Sequence, residues 1–104
     1  MRIISQDGSC DLPYEQTELF ASVKTIYADS VSVEDTVMAI YSSEEKAIKA
    51  MKMCREQYAQ CEINKHLIQK AADNLEGVSI TFTGEVRNQL ADKYLFRFPA
   101  DDEI

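Results

Sequence analysis

Residues 42–76 have the sequence SSEEKAIKAMKMCREQYAQCEINKHLIQKAADNLE, and this stretch decides the fold. It holds neither Pro nor Gly, the residues that most disfavour a helix interior, and Gly77 follows it as a C-terminal stop. Ser42 and Glu45 have the spacing of a capping box, in which the serine hydroxyl accepts a hydrogen bond from the Glu45 amide and the Glu45 carboxylate bonds back. The segment therefore predicts one long helix over residues 43–76.

An apolar seam runs along this predicted helix and is interrupted by one lysine. Its members recur at alternating spacings of four and three residues: Ala47, Met51, Cys54, Tyr58, Cys61, Lys65, Ile68, Ala72 and Leu75. A continuous helix of this length measures about 50 Å, which is longer than a domain of 104 residues covers. Three interpretations stay open: the helix breaks near Asn64, the seam serves only the core of its own chain, or its second half packs on a second copy. In the last case Cys61, Ile68 and Leu75 mediate a homodimer.

The remaining sequence predicts β structure on both sides of the helix. Residues 1–41 are rich in apolar and β-branched residues, and residues 78–98 predict a hairpin that an acidic tail follows over residues 99–104. The predicted strands cover residues 2–5, 10–14, 19–28, 36–41, 78–83 and 94–98. Together these elements predict a single α+β domain over residues 1–104, in which an antiparallel sheet of four to six strands packs on one long helix.

Composition and charge exclude several classes of protein. Hydrophobic residues make up 45% of the 104 residues and only three Gly and two Pro occur, which excludes collagen-like and Pro/Gly-rich disordered chains. The net charge of −7 argues against direct binding to nucleic acid or to an anionic membrane. No stretch approaches the roughly 18 apolar residues of a membrane span, and residues 1–7 lack the apolar run of a signal peptide.

Cysteine usage predicts a cytoplasmic setting. The cysteines are Cys10, Cys54 and Cys61, an odd number that leaves one unpaired in any disulfide scheme. On one helix Cys54 and Cys61 are separated by about 10 Å, whereas a disulfide needs Cα atoms within about 7 Å. We therefore expect reduced thiols in a cytoplasmic protein.

Residues with catalytic or metal-binding chemistry are scarce. His66 is the one histidine, and Glu62 stands four residues before it, a pairing that is common by chance on a helix surface. Neither Cys54 nor Cys61 has the spacing to place a thiol beside His66. Glycine-rich phosphate loops, CxxC and GxSxG motifs do not occur in the sequence. We expect no enzymatic activity, no metal site and no cofactor.

Acidic residues concentrate in the β-rich part of the chain. Residues 1–40 contain seven acidic and two basic residues, a net charge of −5. An acidic sheet edge suits a basic groove on a partner protein, and a tyrosine at an exposed edge, as expected for Tyr14 beside Pro13, is a typical contact residue of an interface. The predicted protein-binding residues are Asp7, Asp11, Tyr14, Glu15 and Glu18.

Two other functions are compatible with the sequence. An oligomer cleft would sequester an anionic nucleotide through basic residues that include Lys46, Lys49, Arg87 and Arg97. The alternative is a structural subunit of a phage particle. Neither has a sequence motif of its own.

Four segments carry a resemblance to a group of proteins. They are RIISQDG at 2–8, DLPYE at 11–15, IYSSEEKA at 40–47 and FRFPADDE at 96–103. In these segments the chain resembles a set of small proteins from Firmicutes and their prophages, over about half its length, whereas residues 60–93 depart as though a longer helix and an extra hairpin were inserted. The resemblance implies no activity and no catalytic residue. It implies a cytoplasmic, mobile-element setting, in which small acidic proteins often bind a host protein.

These observations lead to one functional hypothesis. The sequence predicts a non-enzymatic accessory protein of a phage or mobile element that binds a host protein, with inhibition of a defence component as one way for it to act. Its expected partners are a host or phage protein and a second copy of itself, and neither nucleic acid nor a membrane.

Overall fold

The computed structural model describes residues 1–74 and 94–104, with the side chains of the long helix described as far as Leu67. Its elements in chain order are β1 Arg2–Ile4, β2 Asp11–Pro13, β3 Thr17–Ser22, β4 Thr25–Ser30, β5 Thr36–Ile40, α1 Glu44–Asn74 and β6 Leu95–Arg97. Short 3-10 turns occupy Tyr14–Gln16 and Asp101–Glu103. The α+β class is confirmed. The predicted single antiparallel sheet is wrong, because the strands form two sheets of three.

The first sheet joins the two ends of the chain. Its order is β2-β1-β6, with β1 antiparallel to β2 and parallel to β6. Ile3 lies in the middle, opposite Leu12 on one side and Phe96 on the other, and is fully buried. A parallel pair needs a long crossover connection, so a prediction based on local turns cannot find it. The predicted strand 78–83 of the hairpin 78–98 lies outside the described residues.

The second sheet is an antiparallel meander in the order β3-β4-β5. The single strand predicted over residues 19–28 is wrong, since the chain reverses at Val23 and Lys24 and pairs Ser22 with Thr25. Val23 makes this turn with a φ of 54°, a region that glycine and asparagine adopt and valine disfavours. The turn therefore carries none of the residues that announce one in a sequence.

A β-bulge in β5 decides which residues point outward. Ile26 pairs with Ala39 but Tyr27 pairs with Val37, so Met38 is the extra residue. Both Met38 and Ala39 are buried as a result. Their neighbours Val37 and Ile40 point to the opposite face and are 45% and 59% exposed.

Helix α1 is continuous through Asn64, which excludes the interpretation in which the helix breaks there. The helix begins at Glu44, and its cap is Ser43, whose hydroxyl accepts a hydrogen bond from the Lys46 amide at 3.2 Å. The predicted cap at Ser42 is therefore one residue too early, and the residue three positions after Ser43 is Lys46, which cannot complete a capping box. The Ser42 amide instead donates to Oδ1 of Asp101 at 2.7 Å, which attaches the C-terminal turn to the start of the helix.

The first half of the apolar seam belongs to the core of the chain itself. Ala47, Ala50 and Cys54 are fully buried, and they pack with Ile26, Ala28 and Met38 of the second sheet in one cluster. Cys61 is only 3% exposed in the single chain. This corrects the expectation that its side chain faces water and needs a second copy to cover it. The side chains of Ile68 and Leu75 lie outside the described residues.

Gln6 joins the two sheets. Its backbone N–H donates to the Met38 carbonyl at 2.7 Å, and its side-chain oxygen accepts from the backbone N–H of Ile40 at 3.0 Å. Its side-chain NH₂ donates to the Pro99 carbonyl at 3.1 Å, where the Tyr41 hydroxyl also donates at 2.8 Å. One side chain therefore links the end of β1, the edge of β5 and the segment after β6.

The strained turn at Val23 generates a stability prediction. Val23→Asn should raise the free energy of unfolding by about 0.5–1 kcal/mol, because asparagine tolerates the left-handed backbone that valine resists. Urea denaturation at neutral pH measures the difference.

The matched control is Val31→Asn, since Val31 is fully exposed and has no positive φ. The control should leave the stability nearly unchanged. Equal changes in the two variants would contradict the assignment of strain to Val23.

Candidate functional site

Asp7 holds a turn. Its Oδ1 accepts hydrogen bonds from the Ser9 hydroxyl at 2.7 Å, the Ser9 amide at 3.0 Å and the Ser5 hydroxyl at 2.7 Å. These bonds, those from Ser9 first, lower the pKa of Asp7 to about 2. Gly8 follows with a φ of 79°, a backbone that glycine adopts without steric cost. The structure gives Asp7 a local role that competes with the predicted role in binding.

Asp11 and Glu15 also have partners in their own chain. Oδ1 of Asp11 lies 2.8 Å from Nε of Arg2, and both side chains are about half exposed, at 55% and 53%. Oε1 of Glu15 lies 2.5 Å from the Met1 amino group, and this hydrogen bond lowers the pKa of Glu15. Much of the charge of these two carboxylates is therefore balanced locally.

Tyr14 packs on the helix. Its ring centroid lies 4.4 Å from that of Tyr58 at an interplanar angle of 32°. The side chain is half-buried against the core, and this burial raises the pKa of Tyr14. Tyr14, which was predicted to lie exposed at an edge, therefore has much of its side-chain surface buried within the chain.

Glu18 lies in a different setting, at an open cleft of about 680 Å³ beside the ends of β3 and β4. The acidic lining residues of this cleft, called the acidic cleft below, are Glu15, Glu18, Asp29, Glu34 and Asp35. The sequence prediction included the first two and missed the other three. Finding them requires the register of β3 and β4, which places Asp29 directly opposite Glu18.

The charges of the acidic cleft are poorly compensated. Like charges directly opposite on neighbouring strands cost roughly 0.2–1 kcal/mol, and Glu18 and Asp29 form such a pair. Within residues 1–74 and 94–104, the ion pairs of basic groups involve Glu15, Asp11, Asp101 and Glu56, and none involves Glu18, Asp29, Glu34 or Asp35. Asp29 does accept a hydrogen bond from the Asp35 amide at 2.9 Å. Apart from Glu15, the carboxylates of the acidic cleft therefore form no ion pair with a basic group among the described residues.

Two basic residues of the predicted nucleotide site, Lys46 and Arg97, bind to other groups of the chain. Lys46 donates to the Asp101 carbonyl at 2.8 Å and lies 3.4 Å from the Asp101 carboxylate. Arg97 donates to the Gln6 carbonyl at 3.2 Å. Lys49 is exposed on the helix, and Arg87 lies outside the described residues. The structure brings no anion-binding cluster together from Lys46, Lys49 and Arg97.

The thiols and His66 form no larger constellation in the described part of the chain. Burial raises the pKa of Cys54 to about 12, so this thiol is protonated at neutral pH. Burial also raises the pKa of Cys61. Among the described residues, no three or more His, Cys, Asp and Glu side chains are arranged to hold a metal ion.

Helix α1, over its described length, is too polar to cross a bilayer.

Comparisons of this chain with protein-family models, with curated proteins and with solved structures found no match. The resemblance carried by residues 2–15, 40–47 and 96–103 stays a hypothesis.

The turn at Asp7 predicts a pH dependence of stability. The folded-state pKa of about 2 lies below the ordinary value of 3.8, so the ionised carboxylate stabilises the fold above about pH 4 and this contribution disappears as the pH falls to 2. Asp7→Asn should therefore be less stable than the wild type at pH 6, and the difference should shrink between pH 4 and 2. Urea denaturation across this range measures it.

Ser9→Ala provides a second variant, because it removes one donor to Asp7 and leaves the carboxylate in place. It should weaken the same pH dependence. Parallel loss of stability in wild type and Asp7→Asn across pH 4 to 2 would contradict the role given to Asp7.

The pair Glu18 and Asp29 predicts a gain in stability when one charge is removed. Glu18→Gln should raise the free energy of unfolding by about 0.2–1 kcal/mol, with a smaller gain at high salt. Glu56→Gln is the matched control, because Glu56 lies 3.8 Å from Lys52 and loses a favourable partner. A loss of stability in Glu18→Gln would show that Glu18 is compensated.

Proposed function

We propose that this chain is a non-enzymatic binding protein whose acidic cleft binds a lysine- and arginine-rich surface of a partner protein. The observation that carries the proposal is the opposition of Glu18 and Asp29, with Glu34 and Asp35 beside them and no basic partner among the described residues. A basic partner surface removes the repulsion between these carboxylates. The net charge of −7 supports the same proposal, because it accelerates association with a basic protein.

The biological setting is the second part of this proposal. The resemblance at residues 2–15 and 96–103 supports a mobile-element protein in a bacterial cytoplasm. In that setting the partner is a host protein, and occupation of its basic surface would inhibit it. Many defence components hold nucleic acid on basic surfaces, and an acidic protein competes for such a surface.

The structure favours this function over nucleotide sequestration. Lys46 and Arg97 are engaged by Asp101 and by the Gln6 carbonyl, so neither presents an uncommitted cation to a phosphate. No specific observation favours a structural subunit of a phage particle. The proposal therefore keeps the protein-binding function alone.

A fluorescently labelled octalysine peptide tests whether the acidic cleft binds basic chains. We expect its affinity to fall several-fold between 50 mM and 500 mM salt, because the Debye length shrinks from above about 10 Å to a few Å. The variant Glu18→Gln/Asp29→Asn/Glu34→Gln should lose most of the binding, measured by fluorescence anisotropy at the lower salt concentration.

The control Glu45→Gln/Glu56→Gln/Glu62→Gln removes the same net charge from exposed positions on α1. It should bind the peptide nearly as well as the wild type. Equal weakening by the two triple variants would assign binding to net charge alone and overturn the role of the acidic cleft.

Self-association through the far part of α1 is a further part of the proposal. Beyond the buried Cys61, Ile63 and Leu67 are 53% and 58% exposed, so apolar surface extends past the core of the single chain. A two-fold pair of helices covers such surface in both copies at once.

Sedimentation velocity at tens of micromolar should therefore show a dimer. Ile63→Glu/Leu67→Glu should give a monomer with an unchanged circular dichroism spectrum, because burying an unpaired carboxylate in a helix interface is unfavourable. A monomeric wild type would contradict self-association.

A further inference from the structure

The second sheet has an apolar face that points away from α1, called the outer face below. Phe20, Tyr27 and Val37 lie side by side across its three strands, since Phe20 pairs with Tyr27 and Tyr27 with Val37. The rings of Phe20 and Tyr27 are stacked, with centroids 5.4 Å apart and an interplanar angle of 20°. Ile40, opposite Thr25, extends the outer face along β5.

The outer face remains uncovered by the described residues. The other side of the same sheet packs on α1 through Ile26, Ala28 and Met38, all of which are buried. Val37 and Ile40 are 45% and 59% exposed, although both are large and apolar. Together with the half-buried rings of Phe20 and Tyr27, these exposed aliphatic side chains form a surface to which apolar side chains bind.

The outer face is continuous with the acidic cleft. Successive residues of a strand alternate between faces, so Glu18 shares the outer face with Phe20, and Asp29 shares it with Tyr27. Two residues along a strand correspond to about 7 Å. An opposed pair of carboxylates therefore lies next to a stacked pair of aromatic rings.

We infer that the outer face and the acidic cleft form one docking surface for a linear segment of a partner protein in which apolar residues adjoin lysine or arginine. This inference rests on the proposed function and specifies the chemistry of its partner. The apolar residues of the segment cover Phe20, Tyr27, Val37 and Ile40. Its basic residues bind the carboxylates of Glu18 and Asp29.

The size of the outer face favours a segment over a second copy of this chain. Three strands about 4.8 Å apart and about six residues long give a face of roughly 300 Å². A stable dimer needs about 800 Å² from each partner. A second copy also brings a further net charge of −7, whereas a basic segment neutralises the carboxylates.

Selection from a random peptide library on the immobilised full chain tests the inference. Peptides of about 12 residues are long enough to cover the roughly 20 Å length of the face. We expect the enriched peptides to combine lysine or arginine with apolar residues. Their affinities, measured by fluorescence anisotropy, should fall about tenfold in Val37→Thr/Ile40→Thr, which removes apolar surface but keeps β-branched side chains.

The control Ile48→Thr removes apolar surface from α1, where this residue is 55% exposed. It should leave the affinities of the selected peptides unchanged. Octalysine should bind Val37→Thr/Ile40→Thr as well as it binds the wild type, because the acidic cleft is intact in that variant. Circular dichroism establishes that both variants are folded.

The other outcomes overturn the inference in distinguishable ways. Selected peptides that are basic but not apolar, with affinities unaffected by Val37→Thr/Ile40→Thr, would exclude the outer face and leave the proposed function standing. Peptides that are apolar but not basic would exclude the acidic cleft from the surface. Absence of binding by both the library and octalysine would overturn the proposed function itself. A wild-type dimer that Val37→Thr/Ile40→Thr converts to a monomer would identify a second copy as the occupant.

Discussion

The structure depends on Gln6, the residue at which the two sheets and the C-terminal segment meet. Its backbone and side chain bond to Met38, Ile40 and Pro99, and its carbonyl accepts from Arg97. Gln6 is half-buried, and polar groups withdrawn from water become costly when they are left without a partner. Two three-stranded sheets thereby share one core with the first half of α1.

The acidic residues fall into two groups, those that bond to other groups of the chain and those that form no ion pair with a described basic group. Asp7 closes a turn, Asp11 pairs with Arg2, and Asp101 attaches the C-terminal turn to Ser42 and Lys46. The carboxylates of Glu18 and Asp29 oppose each other without such a partner among the described residues. Under the proposed function, stability and binding would make opposite demands on these two positions.

The sequence supports the local features of this fold better than its non-local ones. The absence of Gly and Pro over residues 42–76 predicts the continuous helix. The apolar seam of this helix, however, does not indicate which of its side chains are buried in the core of the single chain. The hairpin between β3 and β4 cannot be predicted from the sequence, because Val23 occupies a turn position with positive φ where glycine or asparagine is usual. The parallel pairing of β1 with β6 joins opposite ends of the chain and has no local signature. For the same reason the candidate site is predicted only in part, since strand register places Asp29 opposite Glu18 and the loop between β4 and β5 brings Glu34 and Asp35 to the same cleft.

Native-state amide hydrogen exchange tests most directly whether Gln6 makes the two sheets one cooperative unit. The account predicts that the amides of Gln6, Ile40 and Phe98 exchange with the same opening free energy as those of the central strand β4. It also predicts that Gln6→Ala lowers this common value for both sheets together. Exchange of the Ile40 and Gln6 amides at least about 100-fold faster than that of β4 in the wild type would contradict it, because such local opening would mean that the sheets are held together by other contacts.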